Sequence, residues 1–88
     1  MPTDVKLKLT AIQTHLKDLK YRTSTDINSY MTVISDALSH CDDKPSRALL
    51  KAVKSSQKRI QAMPDQQSWD EQVHIQRKKL IDEIDSLM

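Results

Sequence analysis

Four residues of types that bind metal ions are adjacent in the sequence: His40, Cys41, Asp42 and Asp43. A zinc site needs three or four ligands in a tetrahedral arrangement, and the side chains of adjacent residues point in different directions. At most two of these four side chains could reach one ion, so the other two histidines, His15 and His74, would have to complete the set. We therefore expect no metal site. Cys41 is expected to fill a core position and the two aspartates to be solvated in a loop.

Cys41 paired with a histidine is the candidate for nucleophilic catalysis. Such a pair also needs an oxyanion-binding site and a cleft, which a chain of 88 residues without glycine can hardly build. The absence of glycine also excludes phosphate-binding loops and Rossmann-type nucleotide sites. Acidic residues near the C-terminus, such as Asp82 and Glu83, are typical of a solvated helix surface. We therefore predict that the protein is not an enzyme and uses no cofactor.

The basic residues are distributed unevenly. The chain has 14 basic and 12 acidic side chains, a formal charge of +2, yet residues 44–63 contain six basic residues and no acidic one. Steps of four, three and four residues place four of these on one face of a helix: Arg47, Lys51, Lys54 and Lys58. A second cluster follows at Arg77, Lys78 and Lys79. These seven residues are candidate contacts for an anionic partner, either an acidic protein, anionic lipid headgroups or nucleic-acid phosphates. The alternative is a solvated face whose charge is partly neutralised by acidic neighbours.

Apolar residues recur at helical spacing in four stretches of the chain. The first runs from Val5 to Leu19, and the second, which starts at Ile27, is one residue out of phase with it. The change of phase predicts a break near residues 22–25. The alternative is one continuous helix from Asp4 to His40. We predict four helices, at about residues 4–21, 25–40, 45–62 and 69–87.

Residues that favour helix starts precede or open each stretch. They are Thr3 or Asp4, then Thr23 or Ser24, then Pro45 in a first turn, and last the capping box Ser68-x-x-Glu71. Trp69 is expected in the core, and the alternative is an exposed anchor at an interface. Connections of two to six residues favour sequential antiparallel neighbours. The predicted fold is all-α, a small antiparallel four-helix bundle in which residues 1–88 form a single domain.

Cysteine usage and hydropathy indicate the compartment. A solitary Cys41 cannot form an internal disulfide, and charged residues alternate with leucines over the first twenty positions, unlike the core of a signal peptide. No apolar run approaches the roughly 20 residues that a membrane span requires. We therefore expect a cytoplasmic protein.

Three stretches carry a further pattern: Asp26-Ile27 to Leu38, Pro45 with Ala48-Leu49-Leu50, and Gln76-Arg77-Lys78-Lys79-Leu80 with Ile84. Their order over about residues 26–87 resembles the small immunity proteins that protect producers of pediocin-like (class IIa) bacteriocins. The resemblance implies a cytoplasmic antiparallel four-helix bundle. It also implies recognition, without catalysis, of the bacteriocin-bound mannose phosphotransferase permease at the inner membrane face. In that family the C-terminal half commonly governs which bacteriocin is countered, which gives weight to Arg77, Lys78 and Lys79.

We therefore expect a small bacterial protein-interaction module, most specifically a bacteriocin immunity protein, with peripheral membrane contact as one mode of action. Two other functions fit the sequence. One is a phage or plasmid regulator that binds nucleic acid through the basic third helix, although the modest net charge and the few aromatic residues oppose it. The other is a helical chaperone or structural protein that pairs with a second chain, because steps of four and three residues also suit intermolecular coiled coils.

Overall fold

A computed structural model describes residues 2–88, and in that part of the chain every regular element is helical. The helices are α1 (Thr3–Asp18), a short 3-10 turn (Leu19–Tyr21), α2 (Ser24–Ser39), α3 (Lys44–Gln61) and α4 (Gln66–Leu87). They pack against one another as a compact four-helix bundle, which confirms the predicted all-α fold. The observed bounds lie within three residues of the predicted ones.

The first two helices are separate. Arg22 has an extended backbone, with φ −100° and ψ 170°, which ends the 3-10 turn after α1. The hydroxyl of Thr23 then accepts a hydrogen bond from the backbone N–H of Asp26 at 3.1 Å and caps α2. The change of phase in the apolar pattern therefore marks a real break, and a continuous helix from Asp4 to His40 is excluded.

Aspartates cap the last two helices. The carboxylate of Asp43 accepts the backbone N–H of Ser46 at 2.9 Å, with Pro45 in the first turn of α3 as predicted. Asp65 accepts the backbone N–H of Ser68 at 2.8 Å, so α4 begins three residues earlier than predicted. The predicted capping box at Ser68 was wrong because that residue already lies within the first turn of α4. The hydrogen bonds from Ser68 also lower the pKa of Asp65.

The start of α1 also differs from the prediction. Thr3 and Asp4 lie inside the helix, the N-cap position is occupied by Pro2, and no side chain caps the first turn. Asp4 still lies in the first turn, where its negative charge complements the helix dipole.

The apolar stripes meet in one continuous core. Buried residues come from all four helices and the 3-10 turn: Val5, Leu9, Leu16, Leu19, Ile27, Met31, Ile34, Leu38, Leu49, Leu50, Val53, Ile60, Val73, Leu80 and Ile84. Trp69 is half-buried and packs against this core from the start of α4. Cys41, expected in the core, is instead half-buried at its edge, because α2 ends at Ser39 and the chain turns away before reaching it.

The packing order departs from a simple sequence of neighbours. α3 packs extensively against α2 and α4 as predicted. The expected pairing of α1 with α2 was wrong, because α1 packs mainly against α4. Polar side chains join α1 to α4: the amide of Gln13 donates to the Ile81 carbonyl at 3.0 Å and to the Asp85 carboxylate at 2.6 Å. Gln13 is itself buried. α4 thus touches all three other helices and carries residues that face α1 on one side and α3 on the other.

Candidate functional site

The basic stripe, which comprises Arg47, Lys51, Lys54 and Lys58, lies on the outer face of α3. All four side chains are exposed, and the opposite face of the helix carries the buried Leu49, Val53 and Ile60. At 1.5 Å of rise per residue the stripe runs for about 16 Å along the helix. The stripe is carried by a helix whose opposite face is packed in the core.

No residue of the basic stripe forms an ion pair with a described residue. Within residues 2–88 the ion pairs are Lys8 with Asp43, at 3.1 Å, and Arg22 with Asp26, at 3.3 Å. Arg47 makes one hydrogen bond, from Nη1 to the carbonyl of Cys41 at 3.4 Å. The four side chains are therefore exposed to solvent without a direct carboxylate partner among the described residues.

The second basic cluster does not form one surface. Arg77 is only 5% exposed: it lies on the inner face of α4 and donates from Nη1 to the Leu16 carbonyl at 2.9 Å. Lys78 and Lys79 are exposed, and Lys79 faces α3. Consecutive helical residues point about 100° apart, so these three side chains take three directions. The assignment of Arg77 to the contact surface was therefore wrong. Its position, four residues after Val73 and three before Leu80, is a core position of the apolar pattern and signals its burial.

A groove between α3 and α4 is the site that the sequence pattern missed. Its volume is about 210 Å³, and it is lined by Ala52, Ser55, Ser56, Arg59, Gln76, Lys79, Leu80 and Glu83. The floor is a buried polar pair, in which the Ser56 hydroxyl donates to Oε1 of Gln76 at 2.9 Å and Gln76 donates to Gln72 at 2.5 Å. Ser56 occupies a core position of the third stripe, so a buried hydroxyl at that position is the sequence signal for a polar partner on a neighbouring helix.

Residues 40–43 form a helix junction. No group of three or more His, Cys, Asp or Glu side chains in the described part of the chain is arranged to hold a metal ion. Asp42 is exposed in the loop, as expected. Asp43, expected to be solvated there, instead caps α3 and pairs with Lys8. Hydrogen bonding from Ser46 and the nearby Lys8 ammonium lower the pKa of Asp43 to about 2.

Lys8 joins α1 to this junction. Its ammonium lies 3.1 Å from the Asp43 carboxylate and 3.4 Å from the Cys41 sulfur. The Lys8 ammonium therefore contacts both the half-buried Cys41 thiol and the Asp43 carboxylate, and these contacts join the α2–α3 connection to α1.

Comparison of the chain with protein-family models, curated proteins and solved structures gives no match. None of the helices described for residues 2–88 combines the length and the apolar character needed to cross a membrane.

Proposed function

We propose that the protein is a non-enzymatic binding module that docks onto an acidic surface of a protein partner through the basic stripe of α3. The observation that carries this proposal is the exposure of four cations at steps of four, three and four residues, with no ion pair to any described residue. An unpaired array of like charges on one helix destabilises that helix slightly. A partner that supplies the opposite charges would offset this cost.

The mechanism of this docking is electrostatic steering onto a rigid surface. Complementary charge raises the rate of encounter and selects the partner, while each solvent-exposed ion pair adds only about 0.2–1 kcal/mol of affinity. Binding through the basic stripe should therefore weaken as the salt concentration rises. Since the four cations project from one packed helix, docking needs no rearrangement of the bundle.

In its most specific form we propose that the module is a bacteriocin immunity protein of the pediocin-like class, acting in the cytoplasm on the bacteriocin-bound permease. The support for this finer proposal is the resemblance in helix order over residues 26–87, together with the four-helix architecture. In this arrangement the basic stripe and Lys79, which faces α3, would meet the target. Arg77 would act indirectly, by holding α4 against α1.

A protection assay tests the immunity proposal. The protein is expressed in a strain sensitive to pediocin-like bacteriocins, and killing by a panel of these peptides is measured. We expect survival against at least one peptide, and reduced survival for Lys51→Gln/Lys54→Gln at equal expression. Lys6→Gln/Lys17→Gln is the matched control, because it removes two exposed charges from α1. Unchanged killing by the whole panel would rule out the immunity function.

The basic stripe also suits a second partner, the phosphate backbone of a nucleic acid. Single-stranded nucleic acids bind to aromatic side chains on which their bases stack. Tyr21 is 82% exposed but lies in the 3-10 turn, and Trp69 and Tyr30 are half-buried against the core. α3 therefore carries no aromatic side chain on which a base could stack, which favours the protein partner. A gel-shift titration separates the two: DNA or RNA binding that falls steeply with salt and is abolished by Lys51→Glu/Lys54→Glu would establish the nucleic-acid function instead.

A further inference from the structure

We propose that the groove between α3 and α4 binds one carboxylate side chain, an Asp or Glu of the acidic partner that docks on the basic stripe. This inference rests on the proposed docking function and adds to it a specific anchoring site. The groove is formed by two helices that pack against each other through the core, and its floor is ordered by the hydrogen bond between Ser56 and Gln76.

The size of the groove selects a small occupant. Pockets for drug-sized molecules and cofactors have volumes of roughly 300–1,000 Å³, whereas this groove has about 210 Å³. One side chain with a terminal carboxylate is of the appropriate size. The floor is already satisfied by the hydrogen bond between Ser56, 4% exposed, and Gln76, 2% exposed. The occupant is therefore held by the groups at the rim.

The rim carries positive charge from both helices. Arg59 of α3 and Lys79 of α4 line the groove and are exposed, and neither is in an ion pair with a described residue. Glu83 also lines the groove, four residues after Lys79 on the same helix, but forms no ion pair with it. A guanidinium binds a carboxylate through two parallel hydrogen bonds, and an ammonium adds a third donor. Two cations and one carboxylate leave an excess of one positive charge, which matches one incoming carboxylate.

Continuity with the basic stripe determines where the carboxylate comes from. Arg59 points about 100° around α3 from Lys58, the last residue of the stripe, and Ser55, which also lines the groove, lies between these two directions. A partner segment that pairs with the stripe therefore has its end beside the groove. A flexible Asp or Glu side chain can enter there. A phosphate within a nucleic acid is flanked by two sugars, so it can enter the groove only with those sugars lying against the rim. A side-chain carboxylate has no such requirement.

Residue-resolved NMR titration with a deca-glutamate peptide tests this inference. Backbone amides of the groove (Ser55, Lys79) and of the basic stripe (Lys51, Lys54) report on the two regions separately. Three changes are made in the groove. Arg59→Gln/Lys79→Gln removes both cations, Glu83→Gln removes the repulsive carboxylate, and Ala52→Met fills the groove without changing its charge. Lys6→Gln/Lys17→Gln matches the double variant in net charge.

We expect Arg59→Gln/Lys79→Gln to weaken peptide binding about tenfold relative to the matched control, since two charge-assisted contacts are lost. Glu83→Gln should tighten binding about two- to threefold, and Ala52→Met should weaken it severalfold. Two results together would overturn the groove site and leave docking on α3 intact. Only the stripe amides would shift, and Arg59→Gln/Lys79→Gln would bind like its matched control while Glu83→Gln and Ala52→Met would bind like the wild type. Shifts of the groove amides alone would support the groove and contradict docking through the stripe.

Two further arms address other occupants. Absence of any deca-glutamate binding would contradict both the groove site and the docking function. Tighter binding of the oligonucleotide (dT)10, with the same dependence on Arg59 and Lys79, would overturn the assignment to a carboxylate. Light scattering that shows a mass rising with concentration, abolished by the groove variants, would assign the groove to a second copy of this chain and overturn the inference.

Discussion

Removing two charges from the middle of the basic stripe should make the bundle more stable. Lys51→Gln/Lys54→Gln eliminates three like-charge contacts along α3: Arg47 with Lys51, Lys51 with Lys54, and Lys54 with Lys58. Each contact joins residues three or four apart, which are neighbours on a helix, and each destabilises a helix by about 0.2–0.5 kcal/mol. Glutamine and lysine have similar helix propensities, so the substitution changes little else.

The three contacts together predict a gain of about 1 kcal/mol in the free energy of unfolding, because no ion pair is lost in exchange. For a chain of this length that gain corresponds to a rise of about 4–8 °C in Tm. Urea unfolding followed by circular dichroism at low salt measures the change. The gain should shrink in about 1 M NaCl, where the Debye length falls to roughly 3 Å.

Lys6→Gln/Lys17→Gln is the control for this measurement. It removes the same net charge from exposed positions of α1, and Lys17 lies in the last turn, where a cation is favourable. We expect no gain in stability for this variant. A loss of stability in Lys51→Gln/Lys54→Gln would refute the reasoning, since it would mean that the stripe makes stabilising contacts within the bundle.

Three other changes test the internal structure. Asp43 has a folded-state pKa of about 2, below its usual 3.8. Its contribution to stability is therefore present above about pH 4 and is lost as the pH falls towards 2. Asp43→Asn should flatten the dependence of Tm on pH in that window. Ser56→Ala should cost about 1–3 kcal/mol because it leaves Oε1 of Gln76 buried without a donor, whereas Ser56→Ala/Gln76→Leu should fall within about 1 kcal/mol of wild type, both measured by urea unfolding. Arg77→Met should change the free energy of unfolding by no more than about 1 kcal/mol, because removing a buried charge offsets the loss of the hydrogen bond to the Leu16 carbonyl. Arg77→Ala should cost about 2 kcal/mol more, because it also removes the packing of the aliphatic part of the side chain.

Each of these expectations has a contrary outcome. An unchanged pH profile for Asp43→Asn would mean that the pKa of Asp43 is the same in the folded and unfolded states. A double variant as unstable as Ser56→Ala alone would show that the hydroxyl does not satisfy Gln76. A loss of more than about 3 kcal/mol in Arg77→Met would show that the guanidinium bond dominates its burial.

The fold was largely predictable because each helix carries its own apolar repeat. Burial of Leu9, Leu16, Leu49 and Ile84 follows from spacing alone, since residues three and four apart share a helix face. The one-residue phase shift before Ile27 located the break between α1 and α2. Such patterns are local and can be read without knowledge of the neighbouring helices.

The pairing of helices was less predictable because it depends on contacts between distant residues. Packing of α1 on α4 involves Gln13, which reaches across to Ile81 and Asp85, and no local pattern reports that contact. The start of α4 was also misplaced. Asp65 and Ser68 both favour an N-cap, and tertiary context selects between them.

The candidate site divides in the same way. The basic stripe was predictable because one helix generates it. The groove was not, since Arg59 and Lys79 are twenty residues apart and come together only when α3 and α4 pack. The burial of Arg77 lay within reach of the sequence, because its spacing from Val73 and Leu80 places it on the inner face. Grouping it with Lys78 and Lys79 by charge alone obscured that signal.

The central claim is that the basic stripe of α3 docks onto an acidic protein surface. Fluorescence anisotropy of a labelled deca-glutamate peptide, titrated with wild type, Lys51→Gln/Lys54→Gln and Lys6→Gln/Lys17→Gln, measures it directly. Loss of two exposed ion pairs should weaken binding to the stripe variant about tenfold relative to the α1 control, and the difference should shrink as salt is raised. Equal affinities of the two variants, or no binding by the wild-type protein at low salt, would contradict the claim.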